Sequence, residues 1–134
     1  MLQFIVERSR SRKEATIHAF DALEGNEAVA YLFSVSESTI DDLIQRKKSG
    51  DQRIKEEWQL LNQAMPIIEH FAVGINSRVY DVKTLNKMAG NKIISTYAAC
   101  KSLIKLKRAG DGNENNYKEF EDMACALKRI RNKK

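Results

Sequence analysis

Few residues in this chain are equipped for chemistry. Glu69 and His70 stand side by side in the apolar run MPIIEHFAV, the only acid–histidine neighbours in such a setting. That is the composition of a general base and the group that orients it. The spacing argues against this use, because successive residues of a helix point about 100° apart and do not face one site. Glu69 instead shares a face with Asn62, seven positions earlier. The two are expected to form a buried polar seam, completed by an arginine such as Arg108 or Arg78, since a buried carboxylate is costly unless paired. Asp81 closes the reversal Gly74–Asp81 that follows and joins the seam residues as a structural polar group. No residue is assigned a catalytic role, and no enzymatic activity is expected.

Metal and cofactor chemistry are not signalled. His18 and His70 are the only histidines, with no His-x-x-x-His or Glu-x-x-His pair. Cys100 and Cys125 are 25 positions apart with no C-x-x-C, and each sits in an apolar helical pattern. They read as buried free thiols, which suits a reducing compartment. There is no Gly-x-Ser-x-Gly, no Walker loop and no Gly-x-Gly-x-x-Gly, so no nucleophile elbow or phosphate cradle is expected.

Two basic runs remain. Arg8, Arg10, Arg12 and Lys13 lie near the start, and Lys128, Arg129 and Arg131 lead into Lys133 and Lys134 at the end. The net charge of +5 is uneven, with ten Lys/Arg against five Asp/Glu in residues 101–134. Such runs serve either as solvated helix faces or as contact surfaces for nucleic acid, anionic lipid or an acidic partner.

The elements that must position these groups are helices. A chain of 134 residues with one proline and six glycines fits a single domain with little turn punctuation. No stretch alternates as a strand, whereas spacings of three and four recur. The pattern predicts a helix over 2–23, a stop at Gly25, and a short helix capped by Asn26 that carries Val29, Leu32 and Phe33. That cluster is apolar enough to suggest a homodimer face. Ser36 or Ser38 opens the next helix, Ser38 with Asp41 forming a weak capping box. The longest helix is expected over 52–73 with the stripe Ile54, Trp58, Leu61, Met65, Ile68 and Ala72, kinked or broken near 62–65 by Pro66. Asp81 caps a helix over 82–89 that stops at Gly90, and Asn91 opens another carrying Ile93 to Leu106. After the loop 110–116, Asn116 with Glu119 marks a last helix presenting Tyr117, Phe120, Met123 and Leu127. The initial MLQFIV is too short to span a bilayer, which takes about 20 apolar residues, and lacks a signal-peptide pattern. The chain is expected to be cytoplasmic with no integral span, a longer natural N-terminus with an anchor being left open.

Several short segments together resemble a bacterial family of small helical proteins of unknown function. They are Arg10–Thr16, Leu61-Asn62, Glu69 with Ala72-Val73-Gly74-Ile75, Tyr80-Asp81, and Tyr117, Phe120 and Glu121. The resemblance covers most of the chain and supports a helical fold. It implies that relatives often carry a membrane-spanning helix, which this sequence lacks, and that some are similar to accessory components of mobile elements or phage defence. Pro66 departs from the family pattern. The expected architecture is an all-α irregular bundle of five to seven helices around Trp58, Ile68, Phe71, Leu85, Ile94, Leu103, Phe120 and Leu127. The expected function is a non-enzymatic interaction or regulatory module with a protein partner or a second copy. The alternative is nucleic-acid binding through the two basic runs.

Overall fold

A computed structural model describes residues 2–133, with side chains from Arg8 onward. Met1, Lys134 and the side chains of the initial apolar run therefore lie outside the described residues. The fold is all-α: α1 (Leu2–Glu24), α2 (Glu27–Ser34), α3 (Glu37–Arg46), α4 (Gln52–Asn76), α5 (Val82–Ala99), α6 (Lys101–Asp111) and α7 (Lys118–Asn132), with no strand among the described residues.

Helix α4 is the axis of the bundle, with α1, α2, α3 and α7 packed around it and α5 against α1 and α7. Its stripe Leu61, Ala64, Met65, Ile68 and Ala72 is fully buried. Burying one such large apolar side chain contributes about 1.5–3 kcal/mol, so this row supplies much of the driving force. Phe20, Leu85, Ile93, Leu103, Phe120 and Leu127 fill the remaining core. Trp58 and Ile94, expected at the centre, are only partly buried and pack at its edge. Trp58 lies instead beneath Lys47 and Lys107, each 5.4 Å from its ring.

Local polar chemistry sets the starts of four helices. Asn26 caps α2, Ser36 caps α3, Asp51 caps α4 and Asp81 caps α5, each accepting a hydrogen bond from a backbone N–H of the first turn. Ser36, not Ser38, is the cap of α3; the Ser38 hydroxyl lies 3.0 Å from that of Ser36.

Other boundaries move. Helix α4 runs unbroken through Pro66 to Asn76. Pro66 is exposed, so its ring sits on the solvent face, and the lost bond is the one its N–H would have made to the Asn62 carbonyl. The stop expected at Gly90 is a kink: Ala89 leaves helical geometry (φ −157°, ψ 25°) and α5 continues to Ala99. A Cβ on Gly90 would lie 2.4 Å from the Asn86 Oδ1 and 2.6 Å from an Arg131 nitrogen, so glycine here admits the side chain of α7. The expected boundary between a helix ending at Ala89 and one opening at Asn91 is thus this kink, and a second break, not expected, falls at Cys100. Finally, Val29 and Leu32 are buried and Phe33 stacks on Phe20 at 6.2 Å. The cluster proposed as a dimer face belongs to the core of this chain.

Candidate functional site

Glu69 caps a helix across the bundle. Helix α7 starts after Tyr117, which has a left-handed φ of 63° and supplies no side-chain cap. The missing acceptor comes from α4: Glu69 receives the Phe120 N–H on Oε1 at 2.7 Å and the Glu119 N–H on Oε2 at 3.3 Å. Asn76, seven residues further along α4, donates to the Glu119 carbonyl at 2.9 Å and to its Oε1 at 3.1 Å. The partially positive helix N-terminus thus supplies the hydrogen bonds expected from an arginine, and Arg108 acts on Glu69 through its charge alone. Arg108 instead donates to the Asn116 carbonyl and to Glu121, each at 2.8 Å, and ties the 112–117 loop to α7. Burial raises the Glu69 carboxyl above the usual glutamate range despite the two N–H donors, and the neighbouring Glu119 adds to the effect.

Asn62 does not meet Glu69. Its amide donates to the Trp58 carbonyl at 2.7 Å, and its oxygen accepts from Lys107. The seam therefore divides into two separate attachments along one face of α4. His70 and His18 are both exposed. Among the described residues no three His, Cys, Asp or Glu side chains gather as a metal site.

Asp81 has a different setting. Its carboxylate accepts from the Thr84 N–H at 3.0 Å and the Thr84 hydroxyl at 2.6 Å. Its own N–H donates to the hydroxyl of Thr16, a fully buried residue of α1, at 2.7 Å; that hydroxyl in turn donates to the Arg12 carbonyl at 2.6 Å. Thr16 thus fixes the start of α5 against α1. Burial opposes ionisation of Asp81, but the Thr84 donors and the nearby Arg12 and Lys13 outweigh it and hold the carboxyl below the usual aspartate range.

This junction opens a cleft of about 710 Å³ between α1, the 77–81 turn and the start of α5. Arg12 and Lys13 come from α1, Arg78 from the turn, and Lys83 and Lys87 from α5; Tyr80 and Asp81 also line it. All five cations are exposed. The only carboxylate lining it is Asp81, which is already engaged by Thr84. Lys13, Arg78, Lys83 and Lys87 are in no ion pair among the described residues. Arg78 is held at φ 65°, a left-handed conformation uncommon for a residue with a side chain. The turn is closed by the Tyr80 N–H donating to the Gly74 carbonyl at 3.0 Å. The Tyr80 ring lies over Gly74 and stacks on Phe71 at 5.6 Å.

The N-terminal basic run and the reversal, read separately in the sequence, meet here through Arg12, Lys13 and Arg78. Arg8 and Arg10 are exposed further out on α1. The C-terminal run does not join them: Lys128 and Arg129 are exposed on α7, and Arg131 donates to the Asn86 side chain at 2.7 Å and to its carbonyl at 3.3 Å. Lys83 and Lys87 are the residues that sequence reasoning missed; Thr16 and Tyr80 lay within the segments singled out there, without the roles they have here. A larger groove of about 890 Å³ lies between α6 and α7, lined by Lys101, Lys105, Arg108 and Lys118. There Glu121 pairs with both Arg108 and Lys118 and Glu114 also lines the groove, so its positive charge is partly offset.

The sequence matches the family model for a domain of unknown function, DUF4760, over residues 1–127. The chain belongs to the DUF4760 family. No curated protein and no solved structure matches it. In this DUF4760 chain the matched span contains every residue of the basic cleft and both residues of the Glu69–Phe120 cap, while Lys128 to Lys134 lie beyond it. No helix among the described residues is long and apolar enough to cross a membrane.

Proposed function

We propose that this DUF4760 chain is a non-enzymatic interaction module whose working surface is the basic cleft, and that its partner is anionic there. The observation that carries this reading is five exposed cations from three elements around one concavity, with a single carboxylate already engaged in capping. Like charges gathered at one place raise the energy of the fold, and an anion that neutralises them relieves it. Thr16 and Asp81 hold the walls in register, so the charges are arranged before a ligand arrives, which lowers the entropy lost on binding. The other polar candidates serve the scaffold: Glu69 caps α7, and Asn62 joins α4 to Lys107.

Isothermal titration of the full chain with inorganic polyphosphate at low salt tests the proposal. Binding should weaken strongly in the double variant Lys83→Glu/Lys87→Glu, whose exposed positions leave the melting temperature nearly unchanged. Undiminished binding in that variant would place the working surface elsewhere.

A further inference from the structure

We infer that the anionic partner is a single-stranded nucleic acid, its phosphates held between the two walls of the cleft and a base set against Tyr80. The inference rests on the cleft reading above and specifies its ligand.

Three features point this way. First, the cations face one another across a concavity, Arg12 and Lys13 on one wall and Lys83 and Lys87 on the other, with Arg78 at the turn. A single phosphodiester strand is flexible enough to follow charges that line both sides of a concavity, whereas a rigid duplex presents its phosphates on a convex surface. Second, the positive track continues outward along α1 through exposed Arg8 and Arg10, which suits a ligand longer than a lone phosphate. Third, an aromatic ring lies among the charges. Tyr80 is partly exposed within the cleft while it packs on Gly74 and Phe71. Cations that follow a backbone, combined with a fixed aromatic on which a base can stack, are what sequence-tolerant single-strand binders use. An acidic peptide would satisfy the charges and make no use of the part of the ring that the packing on Gly74 and Phe71 leaves exposed.

The test is fluorescence anisotropy of the full chain with a labelled ten-nucleotide single strand, an abasic strand of the same length, inorganic polyphosphate and anionic phosphatidylserine vesicles as competitors. Five phosphate contacts predict a slope of about −3.5 in log affinity against log salt, hence about 100-fold weaker binding at 200 mM than at 50 mM salt. Stacking of one base predicts at least about fivefold tighter binding of the ordinary strand than of the abasic one. Lys83→Glu/Lys87→Glu should abolish the interaction, and Lys128→Ala/Arg129→Ala should leave it within twofold.

Equal affinity for ordinary and abasic strands, or preference for polyphosphate or vesicles with the cleft variants still deleterious, would overturn the nucleic-acid inference while the anionic-cleft reading stands. Binding lost through Lys128 and Arg129 instead, or no binding of any of the four probes at 50 mM salt, would overturn both.

Discussion

Replacing Glu69 with alanine removes both acceptors from the first turn of α7. Phe120 is fully buried, so its N–H, freed from the 2.7 Å bond, has poor access to water. An unpaired buried donor costs about 1–3 kcal/mol, and loss of a helix cap typically about 1 kcal/mol. The two figures describe overlapping effects, and about 2 kcal/mol is the expected loss. With an unfolding entropy of about 2.1 cal/mol/K per residue, a chain of 134 residues should lose about 7 °C in Tm. Glu69→Gln keeps a carbonyl acceptor for Phe120 and should lose about half as much. Thermal circular dichroism at fixed protein concentration measures both. The pH dependence carries a sign as well. Glu69 has a raised carboxyl in the fold, so its contribution to stability is fully present below the unfolded value of about 4.3 and is lost as pH rises through the folded one. The stability of the parent relative to Glu69→Gln should therefore decrease from acid toward neutral pH. A Tm for Glu69→Ala within about 2 °C of the parent would refute the transverse cap, whereas a relative stability that grows toward neutral pH would mean that the two N–H donors outweigh burial at Glu69.

Three further outcomes follow from the same geometry. Gly74→Ala would place a Cβ 2.4 Å from the Tyr80 ring and push it off Phe71; overpacking of about 1–3 kcal/mol, less about 1 kcal/mol of helix propensity, leaves a net loss of about 1 kcal/mol, and near-UV circular dichroism should show the tyrosine signal change. Arg78→Gly relieves a left-handed residue by about 1–2 kcal/mol and adds unfolded-state freedom of about 0.5–1 kcal/mol, so Tm should hold within a few degrees or rise slightly while polyphosphate affinity falls; a loss of stability as large as the loss of affinity would contradict this. Burial pushes the Cys100 thiol up to about 12, whereas Cys125 is partly exposed, so a thiol reagent at neutral pH should modify Cys125 in the native chain and reach Cys100 only on unfolding.

The sequence revealed what local chemistry decides. Asn26 and Asp81 each announce a helix start because the cap and the N–H it accepts from lie within three residues. The α4 stripe is legible because one face must be apolar over seven turns. Features made between distant segments were not legible. Glu69 announces a buried carboxylate, but nothing local says that its partner is a backbone fifty positions away. Gly90 marked the kink at Ala89 as a stop, but nothing local says that the Arg131 side chain of α7 packs over that glycine. The cleft shows the same division. Arg12 and Lys13 stand out as a charge run, whereas Lys83 and Lys87 look like ordinary solvated lysines until Thr16 and Asp81 draw α5 against α1. Arg78 was expected beside Glu69 and lines the cleft instead, and a left-handed φ at an arginine has no composition to betray it.

The most direct test of the basic cleft as the working surface is an amide nuclear magnetic resonance titration of the full chain with inorganic triphosphate at low salt. The account predicts saturable shifts clustered at Ser9 to Lys13 and Arg78 to Lys87, with α2 and α3 unmoved. Shifts centred on the α6–α7 groove around Lys101, Lys105 and Lys118, or none at all, would contradict it.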